Sequence, residues 1–215
     1  MRGVLYRAAA AGGDGLVLTH GAGGDCHAPL LVALAAAFAD AGLTVLRCDL
    51  PYRQERRKGP PSPAGAARDR AGLRQAVVEL GRIGPGRVFL GGQSYGGRQA
   101  SMLLAEEPEL AAALLLLSYP LHPPGRGREL RTAHLPQLRT PALFVHGSVD
   151  PFGSLAEVQA ARALIASATA LLAIDGAGHG LGHGPKAPQP AARTVDTVVQ
   201  TFLAFVGAEV MSRHG

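Results

Sequence analysis

The 215-residue chain has no tryptophan, only two cysteines and, among 21 basic residues, only two lysines, Lys58 and Lys186. Two cysteines, Cys26 and Cys48, make neither a disulfide framework nor a zinc site, so both are expected to pack as small buried apolar groups. The formal charge of +5 rests on arginine. That composition accords with a GC-rich coding sequence. No recognisable nucleic-acid module accompanies it, so nucleic acid is not an expected partner. The longest apolar runs, Pro29–Ala39 and Leu110–Leu117, fall short of the roughly 18 residues that cross a bilayer. The N-terminal stretch MRGVLYRAAAAGGDG lacks an uninterrupted apolar region and does not read as a signal peptide. A soluble, cytoplasmic protein without a membrane partner is expected. The glycine-rich stretch at 21–24 lacks the Lys-Ser/Thr of a phosphate-binding loop and lacks GxGxxG, so no nucleotide or other cofactor is expected.

What is present is alternation. The apolar runs GLVLT (15–19), LTVLRCDL (43–50), RVFL (87–90), AALLLLS (112–118), PALFV (141–145) and ALLAI (170–174) read as strands. Between and after them, helical spacing appears at Pro29–Ala41, Ala64–Leu80, Tyr95–Glu106, Ser154–Ala166 and Ala191–Val210. No internal repeat or linker interrupts the pattern. It predicts one α/β domain over residues 1–215, with a mostly parallel central sheet covered by helices on both faces. In such sheets ligands bind beyond the carboxyl ends of the strands.

Six polar clusters follow those ends: His20-Gly21-Ala22-Gly23-Gly24, Asp49-Leu50-Pro51-Tyr52, Gly91-Gly92-Gln93-Ser94, Tyr119-Pro120-Leu121-His122, His146-Gly147-Ser148-Val149-Asp150 and Asp175-Gly176-Ala177-Gly178-His179. Gly92-x-Ser94-x-Gly96 between a strand and a helix has the form of a nucleophile elbow, a turn so tight that side chains two residues either side of the serine would collide. A serine hydroxyl needs an adjacent base held by a third group. The order Ser94, Asp150, His179 supplies these roles, each residue just past a strand. His179 is the expected base and Asp150 its orienting carboxylate. The Tyr95 N–H and that of Ala22 or Gly23 are the expected oxyanion donors. His183 is a rival base and Asp175 a rival acid. GHGLGH (178–183) also invites a metal reading, but it lacks carboxylate or cysteine partners. His20, Tyr52 and His122 are candidate pocket residues, whereas His20 and His146 suit loop support better than proton transfer. Turn-forming or loop roles remain the alternative for Ser94, Asp150 and His179.

LTHGAGG (18–24), GGQSYGGRQAS (91–101), SYPLHPPG (118–125) and FVHGSVDPFG (144–153) together resemble the α/β-hydrolase superfamily over almost the whole chain. More narrowly they resemble small hydrolases of the testis-expressed-protein-thirty group and the hydrolase-like domain of a non-specific-lethal complex subunit, and more distantly dienelactone hydrolases. The resemblance implies a compact hydrolase core without a large lid. Tyr95 stands where the group more often has methionine, and its ring would stand beside the oxyanion site. A serine hydrolase acting on small-molecule esters through an acyl-enzyme is the leading expectation. A non-catalytic binding module and cofactor-free perhydrolysis are the alternatives. Arg53, Arg56, Arg57 and Lys58 in one loop, with Arg126, Arg128 and Arg131 in another, suggest a positive mouth that attracts anionic substrates. His122–Leu138 is the only expected room for a lid. Its brevity predicts no interfacial activation.

Overall fold

A computed structural model describes residues 1–8, 13–123, 126, 129–183 and 190–213. Among them, seven strands form one sheet: β1 Gly3–Tyr6, β2 Gly15–Thr19, β3 Thr44–Cys48, β4 Val88–Gln93, β5 Leu114–Leu117, β6 Ala142–Gly147 and β7 Thr169–Ile174. Their order is β1-β3-β2-β4-β5-β6-β7. All neighbours pair in parallel except β1, which lies antiparallel on β3 with Gly3 opposite Cys48 and Tyr6 opposite Val45. The expected parallel sheet is therefore present, with one addition. β1 carries no strong signal because it has four residues and stands half-exposed at the edge.

Six helices complete the layers: α1 Pro29–Asp40, α2 Pro51–Glu55, α3 Ala66–Arg82, α4 Tyr95–Glu106, α5 Leu155–Arg162 and α6 Ala192–Arg213. Proline at the first helical turn starts α1, where a missing N–H costs nothing. Gly42, at φ +95, lets the chain turn out of α1 towards β3. A reciprocal capping box between Ser154 and Glu157 starts α5. α5 is shorter than its sequence pattern, because the chain turns after Arg162 to enter β7. The short α2, behind Pro51, stands where a loop is expected.

Two apolar clusters flank the sheet. On one face α3, α4 and α5 pack through Leu73, Leu103 and Val158; on the other α1 and α6 pack through Leu34, Phe38 and Val198. The strands feed both. In β5, Leu114 and Leu116 join the first cluster, and Leu115 and Leu117 the second. Two buried faces explain why these strands read as unbroken apolar runs rather than alternating ones. No helix among the described residues is long and apolar enough to cross a membrane.

Phe202 of α6 anchors the second cluster. Its ring is fully buried and meets Phe38 and Phe89 edge-on, at centroid distances of 5.7 and 5.4 Å. Phe202→Ala should therefore cost about 3–5 kcal/mol of folding stability, to be read from urea unfolding with the slope unchanged.

Candidate active site

The parallel register sets the carboxyl ends of the central strands side by side. Thr19 of β2 is opposite Gly92 of β4, Gln93 is opposite Leu117 of β5, and Leu117 is opposite Val145 of β6. The loops that leave these ends therefore converge on one edge of the sheet.

Ser94 occupies the turn between β4 and α4 at φ 50, ψ −116, a region that side-chain-bearing residues rarely adopt. The Ser94 N–H donates to the Leu117 carbonyl at 2.8 Å, tying the turn to β5. The flanking glycines are steric necessities. A Cβ on Gly92 would stand 2.6 Å from the Gly97 nitrogen, and one on Gly96 would stand 2.5 Å from the His20 carbonyl oxygen.

His179 reaches this serine. Its Nε2 is 2.8 Å from Ser94 Oγ, and its Nδ1 is 2.8 Å from Asp150 Oδ2. The other Asp150 oxygen accepts from the Phe152 N–H at 2.9 Å, so the carboxylate is buried and held at both ends. The Phe152 ring lies against the imidazole, with centroids 4.1 Å apart. The structure thus brings Ser94, His179 and Asp150 together in one hydrogen-bonded line. The rivals stand apart from it. Asp175 accepts from Ser148 Oγ, and His183 is exposed beside Ala191 and Thr194. No group of three or more metal-ligating side chains occurs among the described residues.

Ala22 and Gly23 face Ser94 and Tyr95 across a cavity of about 630 Å³. Their loop is held from behind by its carbonyl oxygens. Tyr52 Oη donates to the Ala22 carbonyl at 2.9 Å, Arg53 Nη2 to the same oxygen at 2.9 Å, and Arg53 Nε to Gly24 at 2.8 Å. The His20 ring is wholly buried and accepts the Leu50 N–H on Nε2 at 3.1 Å, while its Nδ1–H donates to the Gly21 carbonyl. Burial lowers the His20 pKa and favours this neutral tautomer. Asp49 fastens the next layer, accepting from the Cys26 N–H at 2.7 Å and from Arg2. Burial alone would raise its pKa, but these donors hold it low.

Several expected site residues therefore take different places. His20 and Tyr52 do not line the cavity; they brace the 21–24 loop from its far side. His122 is buried away from the cavity, with Nδ1 on the Pro123 carbonyl. Pro124, Gly125 and Arg128 lie outside the described residues. Arg53 is buried as a structural brace, Arg126 pairs with Glu129, and among the described residues of the expected basic mouth only Arg131 lines the cavity. The segment Pro60–Pro63 also lines it, so cover comes from the chain before α3 as well as from Arg131. Cys26 and Cys48 are buried, and burial pushes the thiols up to about 11 and about 12, which leaves them inert packing groups.

Other residues carried signals that had not been used. Arg98 lies one helical turn after Ser94, and Asp69 lies one turn before Leu73 on the apolar stripe of α3. Buried Asp69 accepts from the Tyr52 N–H at 3.0 Å and from Tyr95 Oη at 2.8 Å. The Tyr95 side chain is thereby anchored to α3, with its ring edge-on to Tyr52 at 5.9 Å.

The alpha/beta hydrolase domain description matches residues 13–207. This chain belongs to the α/β-hydrolase domain family. Solved structures of similar fold include the esterase Est1E from Butyrivibrio proteoclasticus with ferulic acid bound (TM-score 0.74, 16% identity, 96% of this chain and 95% of that one). The dienelactone hydrolase from Anabaena variabilis is similar as well (TM-score 0.72, 22% identity, 94% and 91% covered). So is an alpha-beta serine hydrolase homologue from Coxiella burnetii (TM-score 0.68, 18% identity, 93% and 90% covered). At these identities the likeness is one of fold.

In this α/β-hydrolase, His134 makes stability depend on pH. Ser101 Oγ donates to the Arg98 carbonyl, so His134 Nε2–H must be the donor in its 2.7 Å bond to Ser101 Oγ. Burial first, and then the charges of Arg98 and Arg70, push the His134 pKa down to about 4 from 6.5. Between those values the unfolded chain binds a proton that the folded chain refuses, so stability falls as pH drops through that window. His134→Gln keeps a donor without a titrating ring. It should flatten the loss of stability across that interval in urea unfolding at stepped pH.

Proposed function

We propose that this protein is a serine hydrolase that cleaves carboxylic esters through an acyl-enzyme, with Ser94 as nucleophile, His179 as base and Asp150 as orienting carboxylate. The observation that carries the reading is the continuous line from Asp150 Oδ2 to His179 Nδ1 and from His179 Nε2 to Ser94 Oγ, each step 2.8 Å. Asp150 favours the tautomer with the proton on Nδ1. Nε2 is then free to take the serine proton as Oγ attacks the ester carbonyl carbon. The imidazolium so formed is stabilised by the buried carboxylate and returns the proton to the departing alkoxide. Water, deprotonated by the same imidazole, then attacks the acyl-enzyme and releases the acid.

The oxyanion formed at each step needs donors already in place. The Tyr95 N–H at the start of α4 is one. Ala22 or Gly23 supplies the other. Tyr52 and Arg53 draw the Ala22 carbonyl backwards, and that leaves the loop's N–H side to the cavity. Nothing in this chemistry calls for a cofactor, and a small-molecule ester suits a cavity of this size.

Fluorophosphonate labelling followed by intact mass tests the reading. Wild type should take one adduct and Ser94→Ala none, while His179→Ala should label far more slowly. Asp150→Asn should lower kcat for a p-nitrophenyl ester by about 10⁴-fold, because the imidazole is then held in the wrong tautomer. Folded wild type that takes no adduct would instead point to a non-catalytic binding module.

Disrupting the brace should act on rate rather than on binding. Tyr52→Phe removes the hydroxyl from the Ala22 carbonyl and leaves the ring against Tyr95. Its kcat should fall several-fold at unchanged KM, up to about 10²-fold if the oxyanion donor is fully displaced.

A further inference from the structure

One wall of the cavity carries more positive charge than the proposed chemistry uses. Arg98 and Arg131 both line it, with the apolar Phe152 and Pro120. Other arginines of this protein have carboxylates: Arg2 has Asp49, Arg74 has Glu107, and Arg87 has Asp14. Arg98 and Arg131 form no ion pair among the described residues. Glu129, the acid nearest Arg131 in the chain, is 3.5 Å from Arg126 instead. Arg98 Nε is buried without a hydrogen-bond partner.

The cavity lining also includes a side-chain amide with an unpartnered donor. Gln99 is fully buried and lines the cavity. Its Oε1 is taken by Arg70 at 3.3 Å, and its Nε2 has no partner. The Tyr119 hydroxyl spends its proton on the Arg131 carbonyl at 2.8 Å, and the Arg131 N–H is held by the Leu121 carbonyl at 2.7 Å. Arg131 is therefore fixed in place by its backbone. Burial and the Arg98 charge both lower the Arg131 pKa, and Tyr119 and Glu129 offset this only in part. Unsatisfied donors and facing like charges are costly in a low-dielectric site. An anion seated beside the two guanidinium groups offsets the like-charge cost, and a planar carboxylate matches the guanidinium fork.

We propose that Arg98, Arg131 and Gln99 form a subsite for a free carboxylate carried by the substrate, so that the favoured esters are monoesters bearing a second, ionised carboxyl group. The proposal rests on the hydrolytic reading for its turnover but not for its binding. It also relocates the positive charge. The determinant is Arg98 of α4 together with Arg131, the member of the expected basic loops that lines the cavity.

The test pairs charged and neutral esters of matched size. p-Nitrophenyl hemiglutarate against p-nitrophenyl valerate places the carboxylate on the acyl side. 4-(Valeryloxy)benzoate against phenyl valerate places it on the alcohol side. Wild type should favour the charged member of one pair in kcat/KM by about tenfold or more. Arg131→Gln should erase that preference, Arg131→Lys should restore part of it, and the favoured pair identifies the side. Added salt should weaken the preference in wild type, which decides the matter without any variant if Arg131→Gln fails to fold. No preference for either charged ester in wild type, or a preference that survives in folded Arg131→Gln, overturns the subsite. If no ester is turned over, the hydrolytic reading has failed, and calorimetry with glutarate decides the subsite alone. Binding to wild type that weakens about tenfold or more in Arg131→Gln upholds it. Absence of glutarate binding to wild type overturns it.

Discussion

The turn at Ser94 is the constraint on which the other features of the site depend. A side-chain-bearing residue at φ 50 is an unfavourable conformation, and the fold keeps it only because the surroundings leave no other path. β4 runs to Gln93, the Leu117 carbonyl captures the Ser94 N–H, and α4 begins at Tyr95. The chain must reverse within one residue. Gly92 and Gly96 permit this because backbone occupies the space a side chain would need. The same crowding brings the β2 end against α4, since the atom nearest a Cβ on Gly96 would be the His20 carbonyl oxygen. The turn that presents the hydroxyl therefore also places the 21–24 loop beside it.

The loop is held by a different means. It has few side chains of its own, so its shape is imposed through its carbonyl oxygens by the residues after β3. Tyr52 and Arg53 follow Pro51 at the start of α2, and α2 is seated by Asp69 of α3 through the Tyr52 N–H. Asp69 also receives the Tyr95 hydroxyl. One buried carboxylate thus connects the residue that braces the loop to the residue that follows Ser94. Both walls of the expected oxyanion site are referred to a single point on α3.

The fold and the hydrogen-bonded line of Ser94, His179 and Asp150 were legible because each rests on a local pattern. Two-sided burial makes β2, β5 and β6 unbroken apolar runs, and the glycine spacing around Ser94 records a steric limit within five residues. Distal pairings leave no such trace. Nothing local distinguishes the Arg53 that reaches Ala22 and Gly24 from the exposed Arg56 and Arg57 beside it, so its burial was missed. Tyr52 and His20 were read as pocket residues because they follow strand ends. That rule fixes which edge of the sheet a residue occupies but not whether its ring points to the cavity or beneath the loop. Asp69 could have been found, as a carboxylate on the stripe of Leu73, Val77 and Leu80 is out of place unless it has buried donors. β1 could not, because four half-exposed residues at a sheet edge differ little from a loop.

Arginine takes two opposite roles here, and the contrast separates stability from function. Arg47 and Arg53 are almost wholly buried, and both donate to backbone carbonyls; Arg47 also donates to the Tyr6 hydroxyl. A guanidinium can be buried in this way because most of its donors meet fixed acceptors that the fold already supplies, although Arg47 Nε, like Arg98 Nε, has none. Arg98 and Arg131 sit where a cavity replaces those acceptors, with each other's charge close by and Gln99 adding a further donor. An apolar side chain at either position would avoid that electrostatic cost. The arrangement becomes favourable only when something anionic occupies the space. The positive charge in the cavity is therefore best understood as half of an interaction whose other half arrives with the substrate.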